Sequence, residues 1–140
     1  MAPAENVESK RGCSYNNRNG VLVKAEEEAM RVIYDYEPKR YVNKLTGVRK
    51  IGYYNVALAT FLKKKSEDLL SDVFSLPSQL KLQFLRAFFD DEGCADFRLK
   101  NKKRSVRGYQ KRVEILHIVK KLLADFGVDA ALKGPNEIVI

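Results

Sequence analysis

Three consecutive carboxylates, Asp90, Asp91 and Glu92, close the segment "FLRAFFDDEG" at residues 84–93, directly after an apolar run containing three phenylalanines. Acids at the C-terminal end of a helix oppose its macrodipole, so their place there calls for a compensating role. Carboxylates are hard oxygen donors, and a group of them at the end of a packed helix is a candidate cation site. The surroundings carry the opposite charge. Lys and Arg outnumber Asp and Glu by 26 to 18, giving +8 and a pI near 9.5. From Arg98 to Arg112 there are eight basic residues and no acid, and "KRYVNKLTGVRK" at 39–50 adds five more without one. A polyanionic partner is expected, nucleic acid ahead of an anionic membrane surface.

Other reactive side chains carry less. Cys13 and Cys94 have no metal-ligand spacing and no neighbouring His, so a zinc site is not expected and a reduced, intracellular protein (cytoplasmic or organellar) is. His117, the only histidine, falls on a polar helix face with Glu114, Lys121 and Asp125 and is expected at the surface. The N-terminus "MAPAENVESK" has no apolar signal core, and no run reaches membrane-spanning length, so no membrane partner is expected.

The elements that must position these groups follow from periodicity. Residues 1–11 are polar and aperiodic, a flexible arm. "CSYNNRNGVLV" predicts a small hairpin on its Asn and Gly residues. Ala25, Ala29, Val32, Ile33 and Tyr36 have helical spacing from about Lys24 to Tyr36. "KRYVNKLTGVRKIGYYN" predicts two strands around Thr46-Gly47, with Tyr53 and Tyr54 ending the second and packing into the core. Asn55 is set to cap a helix carrying Leu58, Phe61 and Leu62. "SLPSQ" breaks the chain and, with Pro77 in a first turn, opens a helix reaching about Asp90. Its apolar positions 80, 82, 84, 85, 87, 88 and 89 cover most of the circumference, so burial on more than one side is expected. Ala87, the smallest, would let a second helix approach closely, with Gln83, Phe84, Asp90 and Asp91 as its neighbours in that contact.

Next, "CADFRLKN" alternates, with Ala95, Phe97 and Leu99 on one face and Asp96, Arg98 and Lys100 on the other. "RSVRGYQ" is its partner strand. Residues 111–126 predict an amphipathic helix with Leu116, Val119, Leu122, Leu123 and Phe126 inward, ended by Gly127. "AALK" and "EIVI" predict a last hairpin around Gly134-Pro135. The order ββ-α-ββ-α, then α-ββ-α-ββ, suggests two related halves, the first lacking the apolar helix.

"LRAFFDDEG" at 85–93 resembles the LAGLIDADG motif of homing endonucleases and intein endonuclease domains. Leu85 matches its first residue, Ala87 its small third residue, Asp90 its first acid, Glu92 its second acid and Gly93 its closing glycine. The resemblance extends over roughly residues 12–140 and is strongest from 55 onward. It implies an α+β fold of αββαββ repeats, with antiparallel saddle-shaped sheets lying on double-stranded DNA and motif helices paired at the interface. The halves would be 12–76, lacking a motif helix, and 77–140. By the same resemblance Glu92 is the ligand of a divalent metal, Mg2+ or Mn2+, and Asp90 holds the helix end. Hard oxygen donors suit such ions, which keep waters and contact phosphates. A basic residue before the motif, Lys63, Lys64 or Lys65, would assist catalysis, with Lys65 the first candidate. The DNA-facing candidates are Lys39, Arg40, Lys44, Arg49, Lys50, Arg98, Lys100, Lys102, Lys103, Arg104 and Arg107.

Family members with two pseudo-repeats in one chain carry two motifs, and this sequence has one. Either two copies of Glu92 meet in a homodimer, or a matching segment lies outside this sequence, or the protein binds without cutting. The function expected is a sequence-specific, metal-dependent homing-type DNA endonuclease, of the kind that introns and inteins carry. Its alternative is an inactive DNA- or RNA-binding module, a regulator or splicing cofactor. A protein–protein adaptor would leave the two basic hairpins without a use.

Overall fold

The structure, a computed structural model, describes residues 12–140; the arm expected at 1–11 lies outside them. The described chain separates into two compact units, residues 12–67 and 68–140, the division falling inside one helix. Among the described residues no helix is long and apolar enough to cross a membrane.

The first unit contains β1 (Cys13–Asn17), α1 (Gly20–Tyr34), β2 (Lys39–Val42), β3 (Arg49–Tyr53) and the opening turns of α2 (Val56–Asp72). The hairpin expected at "CSYNNRNGVLV" does not form. Asn19 instead caps α1, its side chain accepting from the Val21 N–H at 2.9 Å, and Asn17 accepts from the Asn19 N–H at 2.8 Å. An Asn side chain serves an N-cap as well as a turn, and here the cap prevails. β1 pairs instead with the distant β3, Cys13 opposite Tyr53 and Asn17 opposite Arg49, giving an antiparallel sheet in the order β1-β3-β2. The first half is thus β-α-ββ-α.

α1 also starts four residues earlier than expected and turns a different face inward. Val23 and Met30 are buried and Tyr34 packs beside them, while Ala25 and Ala29 are exposed, Val32 is 71% exposed and Ile33 67%. The helix carries two apolar stripes. The one that wins brings Met30 and Tyr34 onto Ile51 and Tyr53 and sets Glu27 against Arg40 of β2. The exit from α1 needs a left-handed residue, and Asp35 supplies it at φ 50°, returning its N–H to the Arg31 carbonyl. The two strands around Gly47 form as expected, with Asn43 accepting from the Leu45 and Thr46 N–H groups in the turn. Asn55 caps α2 as expected, accepting from the Leu58 N–H at 3.0 Å.

The second unit holds the end of α2, a 3₁₀ turn at Val73–Ser75, α3 (Ser78–Glu92), β4 (Gly93–Arg98), β5 (Lys103–Tyr109), α4 (Val113–Asp125), β6 (Ala131–Lys133) and β7 (Glu137–Val139). Its antiparallel sheet runs β4-β5-β7-β6. Leu85 and Phe88 of α3 meet Ile115, Leu116, Val119, Leu122 and Leu123 of α4 over Ile138 of β7. Fully burying each such side chain is worth about 1.5–3 kcal/mol. Gly127 ends α4 at φ +75°, as the C′ reading requires. Gln110 repeats the Asn17 device: buried after β5, it accepts from the Arg112 N–H at 3.2 Å and starts α4.

Candidate nucleic-acid interface and acidic helix end

α3 continues two residues past the expected Asp90, so all three acids belong to its last turn. Two glycines decide how closely that turn meets the sheet. Gly93 has ordinary extended φ and ψ, −95° and 154°, so left-handed geometry is not what it provides. A Cβ there would lie 2.3 Å from the Phe89 carbonyl oxygen. Gly108 is its partner across β4 and β5, and a Cβ on Gly108 would lie 2.6 Å from Cε1 of Phe88. The paired glycines let the Phe88-Phe89 turn press onto the sheet and carry the acids directly into β4.

At this end the three acids differ. Asp90 is exposed and faces Arg86 one turn back, Nε to Oδ2 3.6 Å. Asp91 and Glu92 are half-buried. Among the described residues no three of His, Cys, Asp and Glu gather to form a metal site. Expected burial of α3 on several sides is met only in part. Leu85 and Phe88 are buried, Phe84, Ala87 and Phe89 half-buried, while Gln83 is exposed and Leu80 and Leu82 are about half exposed at 50% and 49%. Leu80, Gln83 and Ala87 fall at helical spacing on a side that the core of this unit leaves open.

Strand register sorts the basic candidates by sheet face. In the second unit the helix-side face carries Gly93, Ala95, Phe97, Arg104, Val106, Gly108 and Ile138, and the outer face carries Cys94, Asp96, Arg98, Lys103, Ser105, Arg107 and Glu137. Arg104 therefore points away from Arg98, Lys103 and Arg107; its guanidinium lies over Phe97, 5.3 Å from the ring centroid. The apolar face expected to pack, Ala95, Phe97 and Leu99, is exposed at all three positions. Phe97 is 56% exposed, and Leu99 leaves the strand for a 3₁₀ turn at Leu99–Asn101. Lys100 and Lys102 sit in that exposed turn.

In the first unit Lys39, Tyr41 and Lys50 share the outer face, and Arg40 and Arg49 share the helix side. Arg40 is engaged by Glu27, through both carboxylate oxygens, and by Glu37 at 2.9 Å. Those hydrogen bonds raise the Arg40 pKa and hold the Glu27 carboxyl below its ordinary value. Arg49 runs beside Gly20 at the start of α1, and Lys44 lies in the β2–β3 turn. The two tyrosines expected in the core part company. Tyr53 is buried, at 2% exposure, and its hydroxyl has no partner among the described residues, while Tyr54 is 44% exposed and lays its ring over Gly52. Lys65 belongs to the first unit, on α2, with Nζ 5.5 Å from the Phe61 ring centroid. His117 is exposed on α4, as expected.

Sequence reasoning missed the network centred on Arg107. Its Nη1 donates to Glu137 at 3.0 Å, its Nη2 approaches Asp96 at 3.3 Å, and its Nε reaches the Ser105 hydroxyl at 3.4 Å. Arg98 joins through Asp96 at 3.2 Å. The alternation of Asp96 with Arg98 was a visible sign of acid on the outer face. Nothing local in the sequence signals that Glu137, thirty residues away, comes to the same guanidinium.

Comparison of backbones identifies the architecture. A structure of mesophilic variants of the homing endonuclease I-DmoI superposes with a TM-score of 0.65 at 17% identity, covering 91% of this chain and 71% of that one. I-DmoI in complex with DNA and Mn gives 0.66 at 14% identity, covering 96% and 77%. The chain has the LAGLIDADG fold. The N-terminal LAGLIDADG domain of DUF199/WhiA is also similar, with a TM-score of 0.66 at 17% identity over 97% of this chain and 66% of that one. No protein-family model and no curated protein matches the chain. In this LAGLIDADG fold the helix bearing Asp90, Asp91 and Glu92 leads directly into the four-stranded sheet.

Proposed function

We propose that the chain is a sequence-specific, divalent-metal-dependent endonuclease acting on double-stranded DNA, completed by a second motif helix from another copy or another segment. The observation that carries this reading is the end of α3. Gly93 and Gly108 press it onto the sheet, and Glu92 sits at the junction with a hairpin rich in Lys and Arg. Its donors are carboxylate oxygens alone, which fits Mg2+ or Mn2+. Glu92 would hold the ion, and waters, phosphate oxygens and the partner's carboxylate would complete its shell, since no three-ligand group forms among the described residues. When bound, such a metal activates water and stabilises the leaving oxygen. Asp90, paired with Arg86, holds the helix end, and the resemblance to the motif-bearing family makes Lys65 the assisting basic residue. The half-buried Ala87 sets the approach of the second motif helix, and the outer sheet faces follow the duplex. The I-DmoI structures with DNA and Mn support this reading by analogy of fold.

A binding module without cleavage is the second reading, favoured by the single motif and the absence of a three-ligand cluster among the described residues. Selection of a binding site from a duplex library, followed by incubation of that duplex with the protein in Mg2+, separates the two. An endonuclease cuts the selected site and stops when EDTA is added; a binding module leaves it intact.

A further inference from the structure

We infer that Arg107 reads a guanine base in the duplex rather than gripping a phosphate, with Asp96, Glu137 and Ser105 fixing the plane of its guanidinium. This rests on the reading that the outer sheet face lies on DNA. Arg107 is on β5, an interior strand, and each of its three nitrogens is engaged by a different side chain: Nη1 by Glu137, Nη2 by Asp96 and Nε by Ser105. Three such contacts remove most of the rotameric freedom that an exposed arginine keeps. The Tyr109 hydroxyl also lies beside the guanidinium; the side chain is still 31% exposed, and of the five N–H groups that a guanidinium has at most two remain for a ligand.

Charge separates base reading from phosphate binding. Arg98 and Arg107 together carry two positive charges, and Asp96 and Glu137 two negative ones, so the network offers a phosphate no net attraction. Two carboxylates beside a phosphate would repel it. The floor of the major groove presents a different pattern. A G·C pair shows two acceptors, N7 and O6, and then the donor amino group of cytosine. Guanidinium donors flanked by carboxylate acceptors are the complement of that row, whereas an A·T pair would set its adenine amino donor against the guanidinium. The exposed Lys100, Lys102 and Lys103 are not paired in this way among the described residues and would be the phosphate contacts of this hairpin.

Two variants, Arg107→Gln and Lys102→Gln, test this beside the unaltered protein. Each is passed through selection from a randomised duplex library, and its affinity for the site selected by the unaltered protein is measured across a salt series. Arg107→Gln should bind with an almost unchanged salt slope and lose preference at one guanine, with discrimination there falling on the order of tenfold or more. Lys102→Gln should keep every base preference and lower the log–log slope by ~0.9. Melting curves identify any variant that fails to fold, and Arg107→Lys, which keeps the charge but not the fork, then serves instead with the same expected loss at one guanine. An unchanged consensus for a folded Arg107 variant, or a slope reduced as for Lys102→Gln, overturns the inference. If the unaltered protein selects no duplex at all, the DNA-binding reading fails, and the inference with it.

Discussion

Glycine 108 shows how much of the candidate site depends on a side chain that is absent. It lies opposite Gly93, beneath the Phe88 ring, and any Cβ there enters the space of a 3%-exposed phenylalanine. Gly108→Ala must push Phe88 and the last turn of α3 off the sheet, an overpacking change that typically costs about 1–3 kcal/mol. Thermal melting should register that loss. Cleavage should fall further than stability alone explains, because Glu92 moves with the same turn. A variant as stable and as active as the original would remove the glycine pair from the account. At this scale the sequence was informative wherever chemistry and neighbourhood coincide. The acids, Gly93 and Ala87 stand within nine residues and could be read together. Gly108, Tyr54 over Gly52, and Arg107 between Asp96 and Glu137 depend on strand register, which no local pattern specifies.

Elements were legible where their signals had one meaning. Asn55, Gly127 and the last hairpin formed as expected because an N-cap, a left-handed C′ residue and a two-strand turn had no rival at those places. β1 and α1 differ from expectation because Asn17, Asn19 and Gly20 suit a turn and a cap equally, and the pairing of β1 with β3 is non-local. The same ambiguity hid the rotation of α1, whose inward face is fixed partly by Glu27 reaching Arg40. That clasp has a pH signature. Hydrogen bonding to Arg40 depresses the Glu27 pKa below its ordinary 4.5, so its stabilisation is present above that value and is lost as pH falls through the folded-state value. The difference in melting temperature between the original and Glu27→Gln should be widest near neutrality and should narrow below about pH 4.5. A gap independent of pH would mean that the charge of Glu27 does nothing for α1 and β2.

The half-buried Ala87 tests the pairing of motif helices. Ala87→Leu adds methylenes on the side of α3 that its own unit leaves open, beside Leu80 and Gln83. Sedimentation at tens of micromolar should show association of the original chain weakened or abolished in the variant, with the overpacking cost again about 1–3 kcal/mol. A variant that associates as the original does would place the contact elsewhere.

For the whole molecule, the central claim is that one basic chain of LAGLIDADG fold uses the carboxylate of Glu92 for chemistry and its sheets for recognition. Composition alone points to a polyanion, and the motif resembles one found in DNA-cleaving proteins; the backbone has the fold expected with that motif. The most direct test replaces Glu92 with Gln, which keeps shape and removes charge, and follows binding and cutting of a duplex selected by the unaltered protein. The original should cut that duplex in Mg2+ or Mn2+. Glu92→Gln should bind it with similar affinity, melt at a similar or slightly higher temperature as repulsion in the acidic turn is relieved, and leave it uncut. Cleavage that survives in Glu92→Gln, or an original protein that grips its selected duplex tightly and never nicks it with either metal, would contradict the account.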